Sequence, residues 1–391
     1  MTPASGFFQT FLTDAVFGTA YFWLPIILGY IAWKFWIYCI RYKFIANAPW
    51  VTLEIKIPRD VFKSPQAMEV VLNGISVAKD GNFLERYGGG FLRSWYSLEI
   101  ASFEGNVHFY IRVIKPLVRL ATAQFYGQYP DIEITEVEDY TKALIKNGKL
   151  DPDYKIDGME FILDKEDVFP IKTYIDYGLD NLATKEEQKT DPITSLIEFF
   201  GSMRAGEHTW FQILIRTIKN KTWKDQAKEM VVKLMKRDVL KTEVLNFGAL
   251  LLSPGERGIV EAIERGVSKV AYDVGIRFCY IARKDKFNSI NIASIASAMK
   301  QFNALNLNGF RGINRAEVEY FSPILGPKKK RRLLNGFINR SYFHPPEERK
   351  YYILNTEELA TIFHFPGGVS ETPTFGRIEA KKSEPPTNLP L

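Results

Sequence analysis

The chain begins with a long apolar stretch that carries no charged side chain. Every residue from Ala15 to Trp33 is uncharged, and Lys34 follows directly. About 20 apolar residues in a helix cross the ~30 Å hydrocarbon core of a bilayer, so this pattern predicts a transmembrane helix over residues 16–43. Aromatic side chains concentrate at its C-terminal end, as they do in interfacial belts: Trp33, Trp36, Tyr38 and Tyr42.

A cleaved signal peptide and a buried core helix are the alternatives to a membrane anchor. A signal peptide has basic residues ahead of a short apolar segment, whereas residues 1–14 contain no Lys or Arg. The basic residues all follow the stretch, at Lys34, Arg41 and Lys43. The positive-inside rule therefore predicts a single-pass inner-membrane protein, with residues 1–15 outside and the remainder in the cytoplasm.

Residues 46–150 show the alternating patterns of a small α+β domain. Residues 50–57 alternate apolar and polar side chains and predict a strand, and Ser64-Pro65 predicts the start of a helix that runs to about Lys79. A glycine-rich loop follows, and then a hairpin of two strands, a helix and a strand, over 87–90, 95–113, 117–126 and 132–137. This order is that of the split βαβ, or ferredoxin-like, arrangement.

Residues 151–310 predict a second domain of this type with helical insertions. The strand patterns lie at 153–163, 171–177, 210–218 and 275–282, and the helical patterns begin at Asp191 and cover 223–237, 254–272 and 288–302. Gly105 and Gly206 each precede a His and an apolar strand that contains Arg, which suggests internal duplication without establishing it. The predicted fold class is thus α+β, a transmembrane helix followed by two ferredoxin-like domains.

Residues 311–391 predict a basic loop, a short helix and a proline-rich tail. The basic run comprises Lys328, Lys329, Lys330, Arg331 and Arg332. Such a run can contact nucleic-acid phosphates or anionic lipid headgroups, and a solvated loop is the alternative. Within 351–365, Thr356 with Glu357 and Glu358 in the first turn predicts a helix.

Composition narrows the protein class without identifying a reaction. The chain has 391 residues, 46% hydrophobic and 25% charged, with a net charge of +6. These values are typical of folded domains rather than of disorder. The two cysteines, Cys39 in the apolar stretch and Cys279, exclude a disulfide framework and a cysteine zinc site.

No motif for nucleotide or metal chemistry is present in the sequence. The only Gly-Lys pair, Gly148-Lys149, has Ala143 at the first glycine position of a P-loop and Leu150 at the hydroxyl position. The glycine triplet at 88–90 does not open a helix after a strand, so we interpret it as a flexible loop. The histidines are dispersed, at 108, 208, 344 and 364. We therefore predict no ATP hydrolysis, no cofactor and no metal.

Several segments resemble a known group of bacterial proteins. They are Ser64–Glu69, Ser97–Gly105, Phe109–Arg112, Tyr126–Tyr140 and Leu354–Pro366, the last reading LNTEELATIFHFP. Together they resemble the region that precedes the motor in membrane-bound ATPases of type IV secretion and conjugative DNA transfer. In that group a similar membrane helix and similar α/β domains come first, and a RecA-like ATPase follows.

The resemblance implies a role beside a motor rather than as one, because this chain ends at Leu391, where the motor would begin. We expect a non-catalytic, oligomeric accessory subunit that docks and orients a separate ATPase at the membrane. The candidate docking residues are Asn355, Thr356, Glu357, Glu358 and Leu359. The main alternative is a membrane-tethered, non-specific DNA-binding module that guides DNA to a channel. A scaffold without a motor and an enzyme with dispersed site residues are further alternatives.

Overall fold

The structure, a computed structural model, describes residues 18–58, 63–146, 148–180, 190–218, 222–235, 252–315 and 322–366, with 322–325 described for the backbone only. It divides into two units. The anchor unit comprises the chain up to Ala48 together with Asp80–Arg93, and the body comprises Pro49–Lys79 and the chain from Ser94 onward.

Helices and strands alternate along the described residues. The helices are α1 (Ala20–Asn47), α2 (Pro65–Gly74), α3 (Phe83–Tyr87), α4 (Val118–Gln128), α5 (Pro192–Gly201), α6 (Thr222–Leu234), α7 (Pro254–Val267), α8 (Ile290–Met299), α9 (Ser322–Asn339) and α10 (Thr356–Ile362). The strands are β1 (Trp50–Lys56), β2 (Tyr96–Phe103), β3 (Asn106–Ile114), β4 (Glu133–Val137), β5 (Ile145–Lys146), β6 (Lys149–Leu150), β7 (Tyr154–Leu163), β8 (Glu207–Thr217), β9 (Ala271–Arg283), β10 (Phe310–Ile313) and β11 (Tyr352–Asn355).

The body is built on one nine-stranded sheet in the order β10-β7-β9-β8-β2-β3-β1-β4, with β11 paired to β9. The described pairings in this sheet are antiparallel. Strands β2 and β8 join the two ends of the sheet, in a register from Tyr96↔Ile215 to Phe103↔His208. The mixed α+β class and the N-terminal apolar helix predicted from the sequence are therefore confirmed.

The sheet has the same internal order on each side of the β2–β8 junction. Outward from the junction the strands are β2-β3-β1-β4 on one side and β8-β9-β7-β10 on the other. The short sequence similarity after Gly105 and Gly206 does not follow this correspondence. The sequence similarity aligns β3 with β8. By its position in the sheet, however, β8 corresponds to β2.

Both faces of the sheet are covered. One face packs against helices α2, α4, α5, α8 and α10 through a continuous apolar core that spans both halves. On the opposite face, Leu333, Leu334 and Phe337 of α9 pack on Trp210 and Cys279. All eleven residues of β8 are consequently buried, in contrast to the alternating exposure of a sheet with one solvated face.

Four segments differ from the sequence predictions. Helix α2 ends at Gly74 rather than near Lys79, and helix α7 ends at Val267 because the next residues enter β9. Residues 171–177 form turns instead of a strand. Their backbone N–H groups bond to side chains: Ile171 donates to Glu358, and Thr173 to Asp176. The basic run lies in α9 rather than in a loop.

Candidate membrane-anchoring site

Helix α1 is, among the described residues, the helix that is long and apolar enough to cross a membrane. It has 28 residues, and its most apolar window has a mean hydropathy of 1.4. None of its residues is buried, so it is not a core helix of the body. A helix that presents apolar side chains on all sides is suited to lipid rather than to water.

The C-terminal half of α1 has one partly buried stripe. Ile37, Ile40, Arg41, Phe44 and Ile45 are half-buried, while the residues between them are mostly exposed. Spacings of three and four residues place these side chains on one face of a helix. This face is covered by a segment that is distant in sequence, residues Asp80–Arg93, which we call the anchor loop.

The anchor loop is an ordered structure closed by its own charges. Asp80 pairs with Arg93 and with Arg86, each at 3.1 Å, which brings the two ends of the loop together. At the start of α3, the Asn82 side chain accepts from the Glu85 N–H and the Glu85 carboxylate accepts from the Asn82 N–H, both at 2.8 Å. This capping box fixes the short helix that carries Phe83 and Leu84.

The anchor loop lies along α1 over several turns. Tyr87 stacks on Trp33 with ring centroids 5.8 Å apart, and its carbonyl accepts from the Trp36 indole N–H at 3.3 Å. Phe91 contacts Phe44 at 5.6 Å. Gly90 has φ +70°, and a Cβ at this position would meet the Ile40 carbonyl oxygen at 2.5 Å. Only glycine allows this close approach without strain.

The three predicted topology residues of α1 have different environments. Lys34 and Lys43 are exposed, and the Lys34 ammonium lies over the Tyr30 ring at 5.4 Å. Tyr30 lies one turn closer to the N-terminus, so this contact is a cation–π interaction within the helix. Arg41 is half-buried, and its Nε has no hydrogen-bond partner among the described residues.

The predicted basic run forms slightly more than one turn of α9, so its side chains lie on all sides of the helix. Lys328, Arg331 and Arg332 are exposed, and Lys329 and Lys330 are partly so. Arg332 pairs with Glu347. Within the described part of the chain, the other four have no ion-pair partner. Leu333 and Leu334 anchor the same helix to the sheet, so the structure holds the basic side chains on a fixed surface.

The predicted docking residues are buried in the body. Asn355, Thr356, Glu357, Glu358 and Leu359 are each at most 2% exposed. Asn355 and Glu358 form the capping box of α10, and Glu357 pairs with Lys269 at 2.8 Å and with Arg265 at 3.2 Å. A partner therefore has no access to these side chains, and the motif acts as a structural element.

Burial has a strong effect on one carboxyl of this motif. Burial raises the pKa of Glu358 to about 8, although its oxygens accept from the backbone N–H groups of Asn355 and Ile171. Apolar surroundings penalise the charged form. Burial therefore favours the neutral form of the Glu358 carboxyl relative to an exposed glutamate.

A buried charge cluster connects the end of α9 to the centre of the sheet. Arg340 donates to Glu99 at 3.0 Å and to Asp139 at 3.0 Å, and Arg112 donates to Asp139 at 2.7 Å. Burial opposes ionisation of Asp139, but the Arg340 and Arg112 charges outweigh it and lower its pKa to about 2. Tyr140 completes the cluster by donating to Glu99 at 2.6 Å. The two guanidinium groups and the two carboxylates of the cluster thus form ion pairs with one another.

The remaining candidate groups are placed apart from one another. His108 hydrogen-bonds Glu54 at 2.6 Å, whereas His208 lies between the Phe103 and Tyr154 rings. Burial raises the pKa of the Cys279 thiol well above its ordinary value, which disfavours the reactive thiolate. Among the described residues, no group of three or more His, Cys, Asp or Glu could hold a metal ion.

A cavity of about 860 Å³ lies beside the end of β7, α6 and β11. Its lining carries both signs of charge, including Asp164, Lys165, Glu229, Lys233 and Arg311. The half-buried carboxyl at its edge, Asp167, accepts from the Ile353 N–H at 3.1 Å. Mixed charges of this kind do not select a ligand of one sign.

The anchor loop was not predicted from the sequence. The glycine triplet was expected to be a flexible loop, but Gly90 makes a close contact with the α1 backbone. The spacing Asn82-x-x-Glu85 is a capping-box pattern that would have predicted the short helix. Two consecutive apolar residues directly after that cap, Phe83 and Leu84, were a further signal.

One known family model matches most of the chain. A family model described as "Domain of unknown function (DUF8128)" matches residues 44–376. The match begins near the end of α1 and includes the body and the anchor loop. No curated protein matches the chain.

Proposed function

The chain belongs to the DUF8128 family, and we propose that it is a membrane-anchored, non-catalytic accessory subunit that docks and orients a separate ATPase of the type IV secretion or conjugation kind. The observation that carries the proposal is α1, an apolar helix with no buried residue and an aromatic C-terminal end. The resemblance of the body segments to the region ahead of such motors supports the choice of partner.

We place the N-terminus outside the inner membrane and the body in the cytoplasm. Lys34, Arg41 and Lys43 follow the uncharged stretch, and the positive-inside rule favours the cytoplasm for that side. The test is protease digestion of spheroplasts and of inverted inner-membrane vesicles. We expect the body to be digested only in the inverted vesicles. Digestion of the body in intact spheroplasts would contradict this orientation.

The non-catalytic role is supported by how the body uses its charges. The Arg340 cluster and the Glu357 pairs connect elements distant in sequence, and they are hydrogen-bonded internally. Ion pairs of this type hold a fold in one arrangement. We test this role by incubating the purified full chain in detergent with ATP and Mg²⁺. Phosphate release above that of a heat-inactivated sample would refute it.

Among the described strands β4 ends the sheet, and we propose this edge as the docking surface. Strand β4 is the last strand of the order and pairs with β1 on its other side. Its acidic side chains Glu133 and Glu136 are exposed. Edge strands offer unpaired backbone groups to a partner, and acidic residues favour a basic surface on that partner.

The docking test is co-purification after mild solubilisation of the membrane. We expect a motor ATPase to be recovered with the wild-type chain, and less of this ATPase with the Glu136→Lys variant. We also propose that the chain assembles as an oligomer. The matched control is Glu261→Lys, which makes the same charge change at an exposed residue of α7. Recovery of no ATPase with the wild-type chain would refute the proposal.

The second candidate function is non-specific DNA binding through α9. Four basic side chains on its exposed turns lack ion-pair partners among the described residues: Lys328, Lys329, Lys330 and Arg331. Each phosphate contact would add about −0.9 to the slope of log affinity against log salt. Changing all four to Gln should weaken binding to duplex DNA and reduce this slope. Unchanged binding would remove this candidate.

We also propose that each half of the sheet is a ferredoxin-like unit and that the halves arose by duplication. The matching strand order on the two sides of the β2–β8 junction supports this proposal. Helices α2 and α4 in one half, and α5 and α8 in the other, occupy the crossover positions of the split βαβ pattern. An experimental structure in which β1–β4 fails to superpose on β7–β10 would contradict it.

A further inference from the structure

Two apolar side chains of the anchor loop are largely exposed. Phe83 is 70% exposed and Leu84 77% exposed. They are consecutive residues of α3, and the Phe83 ring contacts the Tyr87 ring with centroids 4.7 Å apart. Large apolar side chains presented together in water are unfavourable and mark a contact surface.

These side chains belong to the part of the anchor loop that contacts α1 near Trp33. Phe91 contacts Phe44, Gly90 contacts the backbone at Ile40, and Tyr87 contacts Trp33. At 1.5 Å per residue, the loop thus follows α1 for about 16 Å toward its apolar half. Phe83 contacts Tyr87, which stacks on Trp33, so α3 lies beside the part of α1 where the uncharged stretch ends.

The surroundings of this position are those of a membrane interface. Trp33 and Trp36, which contact Tyr87, belong to the aromatic end of α1, and Lys34 is the first charge after the uncharged stretch. Tryptophan, tyrosine and lysine concentrate at the headgroup level of membrane helices. The exposed apolar pair is thus continuous with the surface of α1 that the proposed anchor would present to lipid.

We propose that the anchor loop is a second lipid-contacting element, which inserts Phe83 and Leu84 into the interfacial layer on the C-terminal side of α1. The proposal rests on the membrane anchor of the proposed function, but it assigns a binding surface that the anchor alone does not require. The capping box and the Asp80 ion pairs hold α3 in place, so that Phe83 and Leu84 stay exposed. Little conformational entropy is therefore lost when these two side chains insert.

The test measures depth in the membrane with a fluorescent label. In a Cys39→Ser background, Leu84→Cys is labelled with an environment-sensitive nitrobenzoxadiazole dye, and the full chain is reconstituted into vesicles of phosphatidylcholine and phosphatidylglycerol. Cys279 is retained, because it is fully buried and its thiol is unreactive. The matched control is Leu305→Cys, at a fully exposed leucine that lies in the body.

Nitroxide lipids with the quencher either near the headgroup or near the chain end then report the depth. We expect the label at 84 to be quenched several-fold more strongly by the shallow nitroxide than by the deep one. The label at 305 should be quenched by neither. Equal, weak quenching at 84 and 305 would overturn the proposal, as would stronger quenching at 84 by the deep nitroxide.

Flotation of the same vesicles distinguishes failure of the membrane anchor from failure of the loop contact. If the chain floats with the vesicles but position 84 is not quenched, the lipid contact of the loop is refuted and the anchor stands. If the chain does not float, the anchor and the loop contact are both refuted. A partner protein that covers Phe83 and Leu84 instead of lipid would give the first of these results.

Discussion

At the scale of single residues, the fold depends on charges that are buried and paired. Arg340 is 2% exposed and adopts a positive φ of 48°, a conformation that is uncommon for residues other than glycine. Its guanidinium contacts Glu99 and Asp139, which are far away in sequence. Buried ions are stable only when their partners are present.

Replacing Arg340 by Met should lower the free energy of unfolding by about 3–5 kcal/mol, because Glu99 is left as a buried charge without its partner. The matched control is Arg332→Met, whose pair with Glu347 involves a side chain that is 56% exposed. Exposed pairs contribute roughly 0–1 kcal/mol. Urea unfolding of the detergent-solubilised chain measures both, and equal effects would contradict the structural role of Arg340.

Gly90 offers a second test at this scale. Gly90→Ala introduces both backbone strain at φ +70° and a contact of 2.5 Å with the Ile40 carbonyl. Gly148→Ala is the control, since its φ is +68° and nothing lies within 4 Å of the added Cβ. We expect only Gly90→Ala to loosen the anchor loop, seen as faster proteolysis within residues 80–93. Equal cleavage in the two variants would argue against the close packing.

At the scale of elements, helix α10 is fixed by side chains rather than by its length. It spans only Thr356–Ile362, and every residue in it is buried. Its capping box uses Glu358, a carboxyl that also accepts from Ile171 N–H in the segment ahead of α5. The protonation of one side chain is thereby coupled to the docking of two segments.

The pH dependence of stability follows from this coupling. The pKa of Glu358 is raised from its ordinary value near 4.5 to about 8. The folded state therefore binds a proton that the unfolded state releases, so stability should decrease as the pH rises from about 5 to about 8. Glu358→Gln, which does not ionise, should show a smaller decrease over this range in urea unfolding. The same slope in both proteins would contradict the assignment.

At the scale of the whole molecule, we expect the body to unfold as one cooperative structure. The β2–β8 pairing runs from Tyr96 to Phe103 without a break. A single apolar core includes residues of both halves, such as Leu98, Ile213 and Phe278. Neither half can expose its junction strand without breaking this ladder and opening the shared core.

Hydrogen exchange should therefore show similar protection for β2 and β8, the two central strands. We expect both to exchange only by global unfolding, because their backbone groups are buried on both faces of the sheet. Mass spectrometry of peptides covering 96–103 and 207–217 measures this. Exchange of one strand well before the other would indicate that the halves unfold separately.

The sequence by itself determined the features that depend on local periodicity. The apolar helix, the strands β1, β2, β3 and β7, and the α+β class follow from hydrophobic patterns within short windows. The paired basic and aromatic residues after Trp33 were likewise visible without a structure.

Only the tertiary structure decided how distant segments meet. Such contacts join the two halves through β2 and β8, cover the second face of the sheet with α9 and bury Asn355–Leu359. One example is the contact of Arg340 with Glu99, which are 241 residues apart. The placement of the anchor loop on α1 likewise joins Trp36 to Tyr87, 51 residues apart. Local patterns do not contain these pairings, because each arises from the complementary shape and charge of surfaces that form only on folding.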